Sequence, residues 1–174
     1  MPFHPLSASR PPFLISTDQS LLDLDVIHGF LSTCYWSPGI ARARLERGIR
    51  HSLCFGVYDT GLPRPATGRG PASFLDSVDL TDAPPAQVGF ARIITDAATY
   101  AYLCDVFILE SHRGRGLSKW LMATILAHPD LQGLRRFCLM TKDAHGLYTQ
   151  FGLGPTPDPS RYMEKVDRES YRRE

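Results

Sequence analysis

Between residues 105 and 128 the chain reads DVFILESHRGRGLSKWLMATILAH, and its centre, Arg113-Gly114-Arg115-Gly116-Leu117-Ser118, carries residue types that bind an anion. Apolar Val106, Phe107, Ile108 and Leu109 open the run, Glu110, Ser111 and His112 turn it, and Leu117, Trp120, Leu121 and Ile125 follow at helical spacing. That order is strand, Gly-rich turn, helix. Such a turn leaves the first N–H groups of the helix unpaired at the positive end of its dipole, which suits a phosphate or pyrophosphate. Gly114 and Gly116 let a ligand approach the backbone closely, and Arg113 and Arg115 can add charge-assisted hydrogen bonds. The P-loop and the dinucleotide-binding fingerprint both fail on spacing. No Gly stands at the required distance before a Lys-Ser or Lys-Thr pair, and Lys119 occupies the place of a third Gly.

Several elements must hold this turn in place. Residues 1–12 are Pro-rich and read as a loose arm. Phe13-Leu14-Ile15-Ser16 reads as a short strand. Leu21, Leu24, Ile27 and Leu31 repeat at helical spacing, with Asp18, Ser20 or Asp23 available as N-cap, so a helix is expected to end near Cys34. Tyr35-Trp36-Ser37-Pro38-Gly39 breaks it. Ser37 as N-cap and Pro38 at the first helical position then start a second helix through Arg50, with Ala41, Leu45 and Ile49 as its apolar stripe. Residues 52–58 are strand formers. From 60 to 86 the composition shifts to Pro and Gly, with Phe74 and Leu75 as large apolar residues, and the stretch reads as a mobile surface insertion or, second, an active-site cover. Residues 87–95 and 99–109 give the strongest strand signals, a hairpin's length apart, and the second leads into the Gly-rich turn. Pro129 and Gly133 stop the helix. The next strand, 135–141, is reached through that helix and should therefore run parallel to the one before it. A short helix over 144–151 is closed by Gly152, and a last strand is expected around Tyr162-Met163-Glu164-Lys165. The expected organisation is one domain over 13–166, carrying the insertion, with a tail at 167–174.

Composition narrows the function classes. A chain of 174 residues with 43% hydrophobic residues has room for one sizeable core. A formal net charge of +1 gives no reason to expect nucleic acid or an anionic membrane as partner. Cys34, Cys54, Cys104 and Cys138 form no C-x-x-C pair and have no His at zinc spacing, so no metal is expected and the thiols read as buried groups of a reducing compartment. The N-terminus lacks the long apolar core of a signal peptide, and no run approaches the ~18 apolar residues of a membrane span. A soluble, cytoplasmic protein is expected.

The turn also fits Gln/Arg-x-x-Gly-x-Gly/Ala through Arg113, Gly116 and, with a hydroxyl added, Ser118, and so resembles the pyrophosphate-binding signature of the GNAT acetyltransferases. A second stretch, Ala144-His145-Gly146-Leu147-Tyr148-Thr149-Gln150-Phe151-Gly152-Leu153, is similar to that family's A-x-x-L-Y-x-x-x-G-F and departs only in its last residue. The order of elements is also the family's. The resemblance covers roughly 13 to 165 and implies an α+β fold, the GNAT acyl-CoA N-acyltransferase fold, with a mixed central sheet flanked by helices. It implies acetyl-CoA as cosubstrate and transfer of the acetyl group to an amine, with an acyl-CoA-binding module that does not turn over as the alternative. The expected partner is a small-molecule or peptide amine, and a homodimer is left open. Family relatives often carry Asn where this chain has Thr141, so a bond made there to CoA in relatives does not carry over.

That reaction needs a base for the ammonium, donors for the tetrahedral oxygen and an acid for the thiolate. The resemblance assigns the acid to Tyr148. It gives the oxyanion and the pantetheine arm to backbone groups of Phe107, Ile108 and Leu109, on a strand that splays from its neighbour. The pyrophosphate falls to Arg113, Gly114, Arg115, Gly116, Leu117 and Ser118. Asp105 is the candidate base because it stands in an otherwise apolar strand, where burial raises the pKa of a carboxylate; a structural bond to a neighbouring loop is the equal alternative. Tyr35, Trp36, Arg92 and Tyr102 are the candidates for the acceptor side, as the family shapes that side with the helix break and the adjoining strands.

Overall fold

The computed structural model describes residues 3–63, 85–167 and 169–172. In chain order the elements are β1 (Ser7–Arg10), β2 (Phe13–Ser16), α1 (Leu24–Leu31), α2 (Arg42–Arg50), β3 (Leu53–Pro63), β4 (Pro85–Thr95), β5 (Tyr100–Ile108), α3 (Leu117–Leu126), β6 (Arg136–Leu139) and α4 (His145–Tyr148). The strands form one sheet in the order β1-β2-β3-β4-β5-β6. Every neighbouring pair is antiparallel except β5 with β6, which α3 connects and which runs parallel as expected. This is a mixed α+β architecture.

The middle strands are apolar almost without interruption because the sheet is covered on both faces. On one face Ile15, Phe55, Val57, Ile93 and Leu103 pack with Leu121, Met122 and Ile125 of α3. Across the sheet, Cys54, Phe90 and Phe107 pack with Ile27 and Leu31 of α1 and Leu45 and Ile49 of α2. Burial of each large apolar side chain contributes roughly 1.5–3 kcal/mol, so these two layers hold the helices to the sheet. Among the described residues no helix is long and apolar enough to cross a membrane.

The N-terminal segment is not a loose arm. Ser7–Arg10 pairs with β2, and Pro11-Pro12, joined by a cis peptide, occupy the turn between the two strands, where a missing N–H removes no ladder bond. Upstream of β1, the His4 amide donates to Asp130 Oδ2 at 2.7 Å and the Leu6 amide to Thr17 Oγ1 at 2.8 Å. The first helical pair also differs from expectation. Asp23 caps α1, its side chain accepting from the Asp25 and Val26 amides, but α1 ends at Leu31 and not near Cys34. Ser37 does not cap α2. Its Oγ donates to Leu31 O at 2.8 Å, so it serves the end of α1, while α2 starts at Arg42 after Ala41 with no side-chain cap.

Two further stretches bear on the sheet. Residues 60–63 and 85–86, at the ends of the stretch read as an insertion, are strand, with Pro63 opposite Pro85; residues 64–84, including Phe74 and Leu75, lie outside the described residues. The strand expected around Tyr162 is absent from the described sheet, which ends at β6. Pro155, Pro157 and Pro159 precede it at every second position, Pro159–Arg161 is a 3-10 turn, and Tyr162 turns its hydroxyl to its own neighbour Glu164 at 3.1 Å. The helix expected over 144–151 forms as α4 followed by a 3-10 turn, Thr149–Phe151, and Gly152 closes it at φ 77°.

Where β4 meets the last residues of β5, the strands approach too closely for a side chain. A Cβ on Gly89 would stand 2.5 Å from Ile108 Cδ1, 2.9 Å from Phe107 O and 3.2 Å from Val57 Cβ. Gly89→Ala is therefore expected to force β4 from β5 and lower stability by about 1–3 kcal/mol, read as a lower Tm in thermal unfolding. An unchanged Tm would show that this contact yields without cost.

Candidate active site

β5 runs into a 3-10 turn, Glu110–His112, then through Arg113-Gly114-Arg115 to Gly116, the N-cap of α3. Gly114 and Gly116 sit at φ 76° and 74°, a region that strains L side chains. No side chain caps α3 at Gly116, so its first-turn amides are presented outward at the positive end of the helix. A Cβ on Gly114 would meet nothing within 4 Å, and one on Gly116 would meet only the Arg10 guanidinium, at 3.8 Å. The space beside these glycines is open, and a pyrophosphate fits such a cradle.

Both arginines of the turn have protein partners. Arg113 Nε donates to Ile108 O at 3.2 Å, and the Arg115 guanidinium lies 5.9 Å from the centre of the Phe13 ring. The turn is fastened from beneath as well. His112, buried, sets Nε2 3.4 Å from Oδ2 of buried Asp59 on β3 and Nδ1 2.8 Å from Ser111 Oγ, with its ring edge-on to Phe13. Arg10 Nη2 donates to Arg115 O at 2.7 Å, across 105 residues of sequence. Arg10, His112 and Asp59 were missed in the sequence because none belongs to a local pattern that includes its partner.

The strand feeding the turn is open along one edge. β5 pairs with β6 only from Tyr100 to Leu103, and β6 ends at Leu139, so among the described residues no strand lies beside 104–108 on that side. At the same place the β4–β5 register shifts, with Phe90 opposite Phe107 but Arg92 opposite Cys104, and Asp105 takes φ 55°. This is a β-bulge, which bends a strand away from its former course. The Phe107 and Ile108 side chains belong to the two cores, on opposite faces, which leaves only their main chain for a ligand. Leu109 differs: its amide donates to Val88 O at 2.8 Å and its carbonyl accepts from the His112 amide at 2.9 Å, which leaves it no free amide for a ligand.

The remaining candidates fall into two clusters. In the first, Arg92 Nε donates to Asp105 Oδ2 at 2.6 Å and Nη1 to Ser52 Oγ at 3.2 Å, with side chains 17% and 9% exposed for Arg92 and Asp105. Arg92 thus already holds a carboxylate, that of Asp105. Cys54 and Cys104 flank Arg92 in one row across β3, β4 and β5, and burial pushes both thiols up to about 12. Tyr102, half-buried beside Cys104 and Cys138, is likewise pushed up to about 12 by burial.

The second cluster surrounds Tyr148 on α4, 8% exposed, whose phenol is pushed up to about 12 by burial and then by Tyr35 and Asp143. Tyr35, from the break between α1 and α2, accepts from the Lys142 amide at 3.1 Å and donates to Asp143 Oδ1 at 3.4 Å. Trp36 stands edge-on to Tyr35 with centroids 4.9 Å apart and lies 6.3 Å from Phe30, which stacks on Phe107 at 4.0 Å. Tyr35 and Trp36 remain 50% and 38% exposed, as a wall facing a ligand would be. Thr141 Oγ1 accepts from the Ala144 amide at 3.0 Å, so it anchors the start of α4. The two clusters share no hydrogen bond among the described residues. Tyr35 and Trp36 join Tyr148, whereas Arg92 and Tyr102 join Asp105.

Known proteins resemble this chain in sequence and in fold. A family model for an acetyltransferase (GNAT) domain matches residues 81–152, the span from β4 through both motifs. A candidate acetyltransferase of Gibberella zeae is 35% identical over 149 residues, covering 83% of this chain and 80% of that one. The crystal structure of a candidate GNAT-family acetyltransferase from Xanthomonas campestris pv. campestris is 46% identical, with a TM-score of 0.75 over 94% of this chain and 99% of that one. Glucosamine-6-phosphate N-acetyltransferase from Arabidopsis thaliana, 13% identical with a TM-score of 0.52 over 88% of this chain and 97% of that one, shares the fold alone. At the identity and coverage of the first two relatives the likeness extends through sequence as well as shape, and this chain belongs to the GNAT family of acetyltransferases.

Proposed function

We propose that the protein moves an acetyl group from acetyl-CoA to a primary amine of a small molecule or peptide by direct attack. The observation that carries this reading is the open edge of β5 leading into an uncapped, Gly-flanked helix N-terminus, one continuous track for a pantetheine arm and a pyrophosphate. In this reading the amides around 114–118 take the pyrophosphate, Arg113 and Arg115 add charge at its rim, and main-chain groups of Phe107 and Ile108 orient the arm and the thioester oxygen. The amine enters past Tyr35 and Trp36. A phenol raised to about 12 keeps its proton at neutral pH, so Tyr148 can donate to the departing thiolate. Asp105 takes the amine proton directly or through water, in competition with its bond to Arg92. We place the activity in the cytoplasm, where the four free thiols would remain reduced.

The anion site is tested by calorimetry with acetyl-CoA. Gly116→Val should abolish binding by filling the cradle, whereas Arg113→Ala should weaken it by about 1.5–3 kcal/mol, the worth of one charged hydrogen bond. A folded Gly116→Val protein with unaltered affinity would remove the pyrophosphate site. Acetyl-CoA binding with no release of free thiol across a panel of amines would instead make the chain an acyl-CoA-binding module.

The proton carriers are separated by rate measurements across pH. Tyr148→Phe should lower kcat by about 10²- to 10⁴-fold and leave acetyl-CoA affinity nearly intact. Since the folded-state pKa of this phenol lies above the ordinary ~10, its protonated form also stabilises the fold. That contribution is complete below pH ~10 and is lost as pH climbs toward about 12, a loss that Tyr148→Phe should remove from the alkaline unfolding curve. Asp105→Asn should erase the acidic limb of the pH–rate profile. Should it keep the wild-type profile and melt at lower temperature, Asp105 is a structural partner of Arg92.

A further inference from the structure

We infer that Arg10, on the N-terminal strand β1, is a positioning residue of the pyrophosphate turn: it fixes the peptide between Arg115 and Gly116 so that the Gly116 N–H faces the ligand. The inference rests on the acetyl-CoA reading given above. A peptide unit is planar and trans, so its C=O and the following N–H point in opposite directions. Arg10 Nη2 grips Arg115 O at 2.7 Å from the β1 side. The Gly116 N–H at the other end of that plane is thereby turned away from the Arg10 guanidinium.

The turn needs such a hold. Gly114 and Gly116 flank Arg115 at φ 76° and 74°, and glycine visits both signs of φ at little steric cost, so a plane between them can flip unless it is bonded. Arg10 is itself held. Its guanidinium lies 5.2 Å from the centre of the Trp120 ring on α3, and its backbone pairs with Phe13 across the β1–β2 turn. Phe13 in turn carries the Arg115 guanidinium at 5.9 Å. One end of the hairpin therefore holds Arg115 by both its carbonyl and its side chain. At the far end of α3, His4 holds Asp130 with Nδ1 at 2.5 Å from Oδ1, and buried His128 holds the His4 carbonyl with Nε2 at 3.1 Å. The segment from His4 to Arg10 is a strap along α3 that ends on the turn.

The test compares two probes by calorimetry, acetyl-CoA and S-acetylpantetheine, which has the arm and thioester but no pyrophosphate. Arg10→Ala should weaken acetyl-CoA about tenfold, as loss of one charged hydrogen bond does, and leave S-acetylpantetheine unchanged. Arg10→Lys keeps the charge but not the planar fork that both bonds and stacks, and should show a smaller loss in the same sense; it carries the test if Arg10→Ala does not fold. A purely structural role would lower the Tm and weaken the two probes alike. That result, or an unchanged acetyl-CoA affinity in folded variants, overturns the inference. Failure of the wild-type protein to bind acetyl-CoA would instead overturn the proposed function on which it rests.

Discussion

Backbone amides and carbonyls inside a sheet need partners, and β5 gives up those on its β6 side beyond Leu103. A polar group left unpaired in a protein interior costs free energy, so a strand that opens in this way must find water or a ligand along its edge. A bulge at Asp105 lies where the opening begins. An extra residue shifts the β4–β5 register, Asp105 adopts the left-handed conformation, and the strand bends before it reaches the Gly-rich turn. Asp tolerates that conformation better than most side chains, and its bond to Arg92 ties the bulge to the neighbouring strand. The Gly-rich turn and its cradle follow directly on this one departure from regular pairing.

Charge near the turn is arranged so that little of it is loose. Arg113 is drawn back to the end of β5, Arg115 to the Phe13 ring, and Arg10 to the carbonyl of Arg115. Guanidinium groups held in this way lose less conformational entropy when an anion arrives than free side chains would. On the reaction side, burial gives Tyr148 a firm hold on its proton, while the Arg92–Asp105 pair sits behind thiols that burial keeps neutral. Polar groups of differing character therefore stand on either side of the open strand, separated by the core residues Phe107 and Ile108.

What the sequence made legible was whatever is written locally. The Gly-rich turn, the helix after it, the parallel strand and the short helix with Tyr148 depend on spacing within about a dozen residues, and each formed where the pattern put it. Partnerships across the chain were not legible. Arg10 sits in a Pro-rich stretch that looks unstructured until β2 lies beside it, and its bond to Arg115 follows only from the sheet order. Ser37 and Pro38 have the form of a helix start, yet the Leu31 carbonyl at the end of α1 takes the hydroxyl, alongside the Cys34 amide. Arg92 looked like a free cation for an acceptor because Asp105, thirteen residues away in sequence, becomes its neighbour only through a two-strand hairpin.

Both outer strands of the sheet, β1 and β6, are four residues long, whereas β3 and β4, with eleven each, lie inside it. An outer strand with unpaired backbone is a template on which another chain can add, and short outer strands are poor templates. Among the described residues the one longer unpaired stretch, 104–108, is the open edge of β5, and the bulge there breaks the flat register that an added strand would require. The backbone irregularity that leaves room for a ligand thus also protects the molecule against polymerising through its own sheet.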